Sequence, residues 1–145
     1  MTLTGEYQEP VTGWVRDQLE AIDAAGDTRA VGISGMQVVD FTVRGAKSGL
    51  LRRVPLMRVE HDGSYAAVAS YGGAPKHPAW YHSMKANPEV DVQDGTEMLE
   101  RVAREVHGAE RDQWWARCVA AFPPYAEYQF KTDRLIPVLV CEPAR

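Results

Sequence analysis

Residues 37–69 read QVVDFTVRGAKSGLLRRVPLMRVEHDGSYAAVA, and the alternation within this stretch decides the fold. In Gln37–Arg44, Val39, Phe41 and Val43 alternate with Asp40, Thr42 and Arg44. That is the period of a strand with one buried face. Gly45-Ala46-Lys47-Ser48-Gly49 makes a turn, and a second strand is expected over Leu51–Glu60. His61-Asp62-Gly63 then suits a hairpin turn, because glycine tolerates positive φ. Tyr65–Ala69 is apolar throughout, as expected of a strand buried on both faces.

Working outward, Gly72-Gly73-Ala74-Pro75 breaks the chain, and a short helix is expected around Pro78–Ala86. Val90–Gln93, Asp94-Gly95 and Glu97–His107 read as a further hairpin; Met98, Val102 and Val106 also fit helical spacing, but we read the second arm as strand. A helix over Ala109–Phe122 would bury Trp114, Trp115, Cys118 and Val119. Pro123-Pro124 ends it, and Pro124 suits the opening of a short helix over Tyr125–Thr132. Leu135–Cys141 reads as a last strand, with Pro137 suggesting an edge or bulge. On the other side, residues 27–36 read as a loop. Val11, Trp14, Val15, Leu19 and Ile22 recur at helical spacing over Gln8–Ala25, with Pro10 in the first turn and Gly26 at the stop. Hairpin-linked strands without strand–helix–strand regularity predict an α+β, mainly β protein, an antiparallel sheet or small barrel flanked by helices.

The 145 residues fit one domain, 1–145, with the helix in 1–26 and the barrel with its inserted helices in 37–141. The apolar share of 45% and charged share of 25% are ordinary for a globular protein. No apolar run is long enough to span a membrane. Met1–Pro10 lacks the basic start and apolar stretch of a secretory signal, so a cytoplasmic location is expected. Cys118 and Cys141 form no CxxC pair and read as small core residues.

The net charge of −4 argues against general affinity for nucleic acid. Yet Phe41–Val59 holds five cations, Arg44, Lys47, Arg52, Arg53 and Arg58, and no acid. Two readings fit: a site for an anion, or a solvated strand face. Gly45–Gly49 is not a Walker A loop, since its glycine spacing is wrong and strands flank it on both sides. A glycine-flanked turn still exposes N–H groups, which Lys47, the Ser48 hydroxyl and Arg52 could join around a phosphate or carboxylate. His61, His77, His82 and His107 show no metal-ligand spacing; His77 and His82 would stand about 140° apart on a helix. Ser34 in Gly32-Ile33-Ser34-Gly35 is no nucleophile elbow. Tyr125, Tyr128 and Thr132 fall on one side of a helix, which fits either core packing or phenols beside a flat ligand.

Three blocks together carry a resemblance. Arg44-Gly45-Ala46-Lys47-Ser48-Gly49 with Arg52 and Pro55-Leu56 resembles the cofactor-tail motif of the deazaflavin-dependent nitroreductase family. Val68–Ala74 followed by Pro78-Ala79-Trp80-Tyr81 and Ala86-Asn87-Pro88 is similar to its next motif. Pro124–Gln129, Lys131-Thr132-Asp133-Arg134 and Ile136-Pro137-Val138 are similar to its last. The resemblance implies a split β-barrel binding the deazaflavin coenzyme F-420 and passing hydride to an activated alkene, quinone or nitro compound. It implies that Lys47, Ser48, Gly49 and Arg52 hold the phosphate and oligoglutamate tail, with Pro55 shaping the groove. Ala69, Ser70, Tyr71, Gly72 and Gly73 would lie along the ring system and Trp80 would wall the pocket. Tyr125, Tyr128 and Ser70 would be the catalytic groups, and no metal is implied. Phe122 stands where some members carry tyrosine, and the first helix is more charged than the leaders of membrane-associated relatives. Alternatives are an FMN-binding barrel oxidoreductase, for which a site extending through Arg52 and Arg53 is a poorer match, and a non-enzymatic deazaflavin carrier. Exposure of Trp14 would suit a homodimer.

Overall fold

The computed structural model describes residues 3–10, 13–33 and 35–143. Its helices are α1 (Gly13–Ala25), α2 (Ala79–Ala86), α3 (Gly108–Ala121) and α4 (Pro124–Phe130). Its strands are β1 (Gly32–Ile33), β2 (Met36–Arg44), β3 (Leu51–Met57), β4 (Glu60–His61), β5 (Ser64–Val68), β6 (Glu89–Asp94), β7 (Glu97–Glu105) and β8 (Val138–Pro143). These strands all pair antiparallel, in the order β1-β2-β6-β7-β8-β5-β4, with β3 also on β2. Beyond β3, Arg58 N–H donates to Gln37 O and Val59 O accepts from Ala66 N–H, each at 2.9 Å. The chain leaving β3 thereby joins β2 to β5 and closes the sheet into a split barrel.

The register explains what fills it. Phe41 faces Val54 and Val39 faces Leu56, and these side chains point inward with Val92, Ala67 and Leu139. Trp80 and Met84 of α2 fill the same interior. Burying side chains of this size contributes about 1.5–3 kcal/mol each. On the outside, α3 and α4 lay Trp114, Cys118, Phe122 and Tyr125 over Ala66, Val68, Val138 and Val140. β5 is therefore covered on both faces, as its unbroken apolar sequence predicts. The hairpin at Asp62-Gly63 has φ of 52° and 81°, the geometry that glycine favours. β7 is a strand, with Met98 and Val102 on the exposed face and Ala103 inside.

Several expectations need correction. The first helix begins at Gly13 rather than Gln8, because Gln8 N–H donates to Leu51 O (2.7 Å) and Leu51 N–H to Glu6 O (2.8 Å). The strand edge claims those residues before a helix can form; Val11 lies outside the described residues. Leu19 and Ile22 are buried, but Trp14 is 56% exposed and no part of the core. Asp40 and Thr42, expected to face water, are buried, because α1 lies over that face of β2 and β3. The loop over 27–36 contains a 3-10 turn (Thr28–Ala30) and the strand β1, while Ser34 is outside the described residues. The second strand stops at Met57, where the chain crosses toward β5. Pro137 marks no edge: β8 starts one residue later and lies between β7 and β5. Its carbonyl accepts from Ala69 N–H at 3.0 Å, and the β8 pairings begin only at Val138, so the missing N–H falls outside the ladder. Thr132 falls beyond α4 and does not continue the tyrosine face.

Candidate functional site

The turn between β2 and β3 is closed by Gly45 N–H donating to Leu50 O at 2.8 Å and Gly49 N–H to Gly45 O at 3.1 Å. Gly49 has φ +71°, and a Cβ on Gly45 would stand 2.6 Å from Ser48 Oγ. Ser48 Oγ accepts from Leu50 N–H (3.1 Å), so the hydroxyl shapes the turn. Of the five cations in the acid-free stretch, three are spoken for. Arg44 donates to Gly49 O (2.7 Å) and Thr4 O (3.0 Å). Arg53 bridges Asp40 (2.6 Å) and Asp23 (2.8 Å), and Arg58 pairs with Asp94 at 3.0 Å. Lys47 and Arg52 form no ion pair among the described residues. Burial pushes Asp40 up to about 6 despite the Arg53 guanidinium beside it.

The second turn follows β5. Tyr71, Gly72 and Gly73 have φ of 47°, 64° and 83°, a run in the left-handed region. For a tyrosine this costs roughly 1–2 kcal/mol. A Cβ on Gly73 would meet Tyr128 O at 2.8 Å and Lys131 Cβ at 3.0 Å, so the turn presses against α4. Its internal bonds are Gly73 N–H to Ser70 O (2.9 Å) and Ala74 N–H to Tyr71 O (3.1 Å), which leave the amides of Ser70, Tyr71 and Gly72 outside that set. From behind, the Arg134 guanidinium donates to Ala69 O (3.1 Å), Ser70 O (2.8 Å) and Ala74 O (2.9 Å). It also meets His77 Nδ1 at 3.1 Å.

α2 ties the two turns together. Ala46 N–H reaches Ser83 Oγ at 3.4 Å, and Asn87, at the C-terminal end of α2, donates to Arg44 O at 3.2 Å. At the other end, His77 and Pro78 lead from the second turn into Trp80, which is buried in the barrel. On α4 the rings of Tyr125 and Tyr128 are 6.2 Å apart, and Phe122 stands 5.0 Å from Tyr125. Tyr125 is only 4% exposed, and burial holds its phenol far above the ordinary range. Tyr128 is half-buried, with the Lys131 ammonium 5.5 Å from its ring centre.

Comparison with known proteins places this arrangement. The family model described as F420H(2)-dependent quinone reductase matches residues 14–143. The chain belongs to that family. It is 35% identical over 99 residues to an F420H(2)-dependent quinone reductase of Mycobacterium tuberculosis, covering 66% of each chain. A solved F420-H2 dependent reductase (FDR-A) is 63% identical with a TM-score of 0.69, over 72% of this chain and 93% of that one. A second solved structure, described as a domain-swapped dimer, is 58% identical with a TM-score of 0.73, over 89% and 97%.

Within this family chain, Gly73 joins the Ser70–Gly73 turn to Tyr128, and α2 joins that turn to Lys47's loop. Pro55 lies elsewhere, opposite Asp40 on the outer face of the β2–β3 ribbon. A cavity of about 510 Å³ opens there under α1, lined by Asp40, Thr42, Gln93 and Arg53. Of the sequence-predicted site residues it takes in Arg52 alone. Sequence reasoning assigned no role to Arg134 or Ser83. The one signal for Arg134 is a cation directly before the apolar run Leu135–Cys141, within a block already seen to resemble the family.

Proposed function

We propose that this protein binds reduced coenzyme F-420 and reduces an electron-poor small molecule, an activated alkene, quinone or nitro compound. The observation that carries this is the pair Lys47 and Arg52. Lys47 sits within the glycine turn and Arg52 stands three residues past it, at the rim of the cavity under α1; neither forms an ion pair among the described residues, while their three cationic neighbours are committed. Uncommitted cations beside exposed backbone N–H groups fit an anionic tail, and charge-assisted bonds of this kind contribute about 1.5–3 kcal/mol each. Family membership supports the same cofactor.

In this reading Lys47 and Arg52 hold the tail with the amides of Lys47 and Ser48, while Gly49, whose N–H and carbonyl are taken by Gly45 and Arg44, shapes the turn. Ala69–Gly73 lie along the ring with the amides of Ser70, Tyr71 and Gly72 facing its polar edge, and Trp80 backs it. When bound, the deazaflavin supplies a hydride; the chain supplies position and polarity. The raised Tyr125 phenol stays neutral, which fits it to hydrogen-bond the acceptor while making it a weaker acid; it or Tyr128 would pass the proton, with Ser70 polarising the acceptor. No described helix is long and apolar enough to cross a membrane, and we read the single-domain enzyme as cytoplasmic. The exposed Trp14 and the domain-swapped relative favour a homodimer.

Titration of the protein with reduced F-420 and with FMN, followed by tryptophan fluorescence, tests the reading. Tight binding of the deazaflavin alone is expected. Preference for FMN, or binding of neither, overturns it.

A further inference from the structure

The main-chain turn at Ser70–Gly73 holds three successive residues in the left-handed region, and one of them, Tyr71, is not glycine. Such a conformation persists only where the surroundings over-determine it. Its internal bonds are too few for that. The larger restraint is Arg134. Four contacts use its Nε, Nη1 and Nη2 atoms, three to carbonyls and one to His77 Nδ1. The guanidinium has no ion pair among the described residues, and burial alone lowers its pKa. A cation without an anion, with its fork filled by backbone oxygens, is an arrangement for shaping main chain. Only a planar, multiply donating group fits it, since a lysine offers a point charge on one nitrogen.

The bonds have a direction that bears on the ligand. With the carbonyls of Ala69, Ser70 and Ala74 drawn back onto the guanidinium, the amides of Ser70, Tyr71 and Gly72 lie outside the turn's own bonds. The contact to His77 Nδ1 also places the ring proton on Nε2. It joins the turn to the residues that open α2 and carry Trp80. One side chain thus couples the two walls of the ring site. We infer that Arg134 is a positioning residue that holds the Ser70–Gly73 turn in its left-handed run and sets affinity for the deazaflavin ring. The ligand named here rests on the function proposed above.

The test uses Arg134→Ala, Arg134→Lys and the double variant Arg134→Lys/Tyr71→Gly. Two readouts are taken: F-420 affinity by tryptophan fluorescence, and amide hydrogen exchange over residues 69–74 in the ligand-free protein. Arg134→Ala should weaken F-420 binding and raise its KM roughly tenfold or more, with the acceptor KM nearly unchanged. Arg134→Lys should fall between. Exchange of the Gly73 and Ala74 amides should accelerate in both. Glycine at 71 enters the left-handed region without strain, so the double variant should regain part of the affinity lost in Arg134→Lys. A residue that merely stabilised the fold would not respond to glycine at 71. If Arg134→Ala does not fold, the lysine pair carries the test. Unchanged amide exchange, or no recovery with Tyr71→Gly, overturns the inference. Failure of the parent protein to bind F-420 overturns the function instead, while the exchange measurement still decides the role of Arg134.

Discussion

The two glycine turns are built on opposite plans. The turn between β2 and β3 is closed by its own bonds and leaves its charges open: Lys47 and Arg52 form no ion pair among the described residues, and a Cβ added to Gly49 would meet nothing within 4 Å. The turn after β5 is held from behind by Arg134 and from the side by α4, and it carries no charge at all. A flexible, highly charged tail needs only uncommitted cations that can follow it. A rigid ring with fixed polar atoms needs amides fixed before it arrives, since ordering them on binding would cost affinity. In the function proposed above, the difference between the turns would match the difference between the two ends of the ligand.

Substitution of the glycines exposes this contrast most strongly. Gly73→Ala combines a left-handed φ with a backbone collision against Tyr128 O, and should cost about 3 kcal/mol or more. Gly49→Ala meets no neighbour and should cost only about 1 kcal/mol. Thermal unfolding of both variants compares them; equal losses would remove the distinction between a clamped and an open turn.

Adjacent arginines give the next test. Arg53→Ala strips the buried Asp40 of its partner and should destabilise the protein by on the order of 3 kcal/mol. Arg52→Ala should leave denaturant unfolding nearly unchanged. A stability loss at Arg52 equal to that at Arg53 would mean that Arg52 is committed too.

Asp40 supplies a pH dependence to the same ribbon. Its folded pKa of about 6 lies above the reference value of 3.8, because burial disfavours the charge. The folded state therefore holds the proton more tightly, and this group's contribution is full at low pH and is lost as pH rises from about 4 through 6. The stability of wild type relative to Asp40→Asn should fall across that window by a few kcal/mol at most. A flat difference would show that Asp40 titrates normally. On the reacting side, Tyr125→Phe should lower turnover, on the order of a hundredfold if that phenol donates the proton, with F-420 affinity unchanged. Unchanged turnover would assign the proton to Tyr128 or to water.

How much of this was legible in the chain depends on the range of the interaction. The alternation in Gln37–Arg44, the Asp-Gly hairpins and the apolar run at Tyr65–Ala69 are local, and the antiparallel strands follow from them; closure into a barrel rests on the non-local bonds at Arg58 and Val59. The charge pattern was not local. Phe41–Val59 contains no acid, yet Asp23, Asp40 and Asp94 reach its arginines from α1, the neighbouring strand position and β6, so acid-free in sequence is not acid-free in space. Burial of Asp40 required knowing where α1 lies. The helix start was misplaced for a similar reason, since Gln8 is claimed by Leu51. Both turns could be seen as glycine-rich, but Arg134 acts on the second from about sixty residues away, and no spacing rule reaches that far.

The division of labour between the two turns can be measured by comparing the affinity of F-420 with that of a tail-less deazaflavin, in wild type and in Arg52→Ala. If uncommitted cations at the first turn hold the tail, Arg52→Ala weakens F-420 binding and leaves the tail-less compound's affinity unchanged. Equal weakening of both ligands, or of neither, would contradict it.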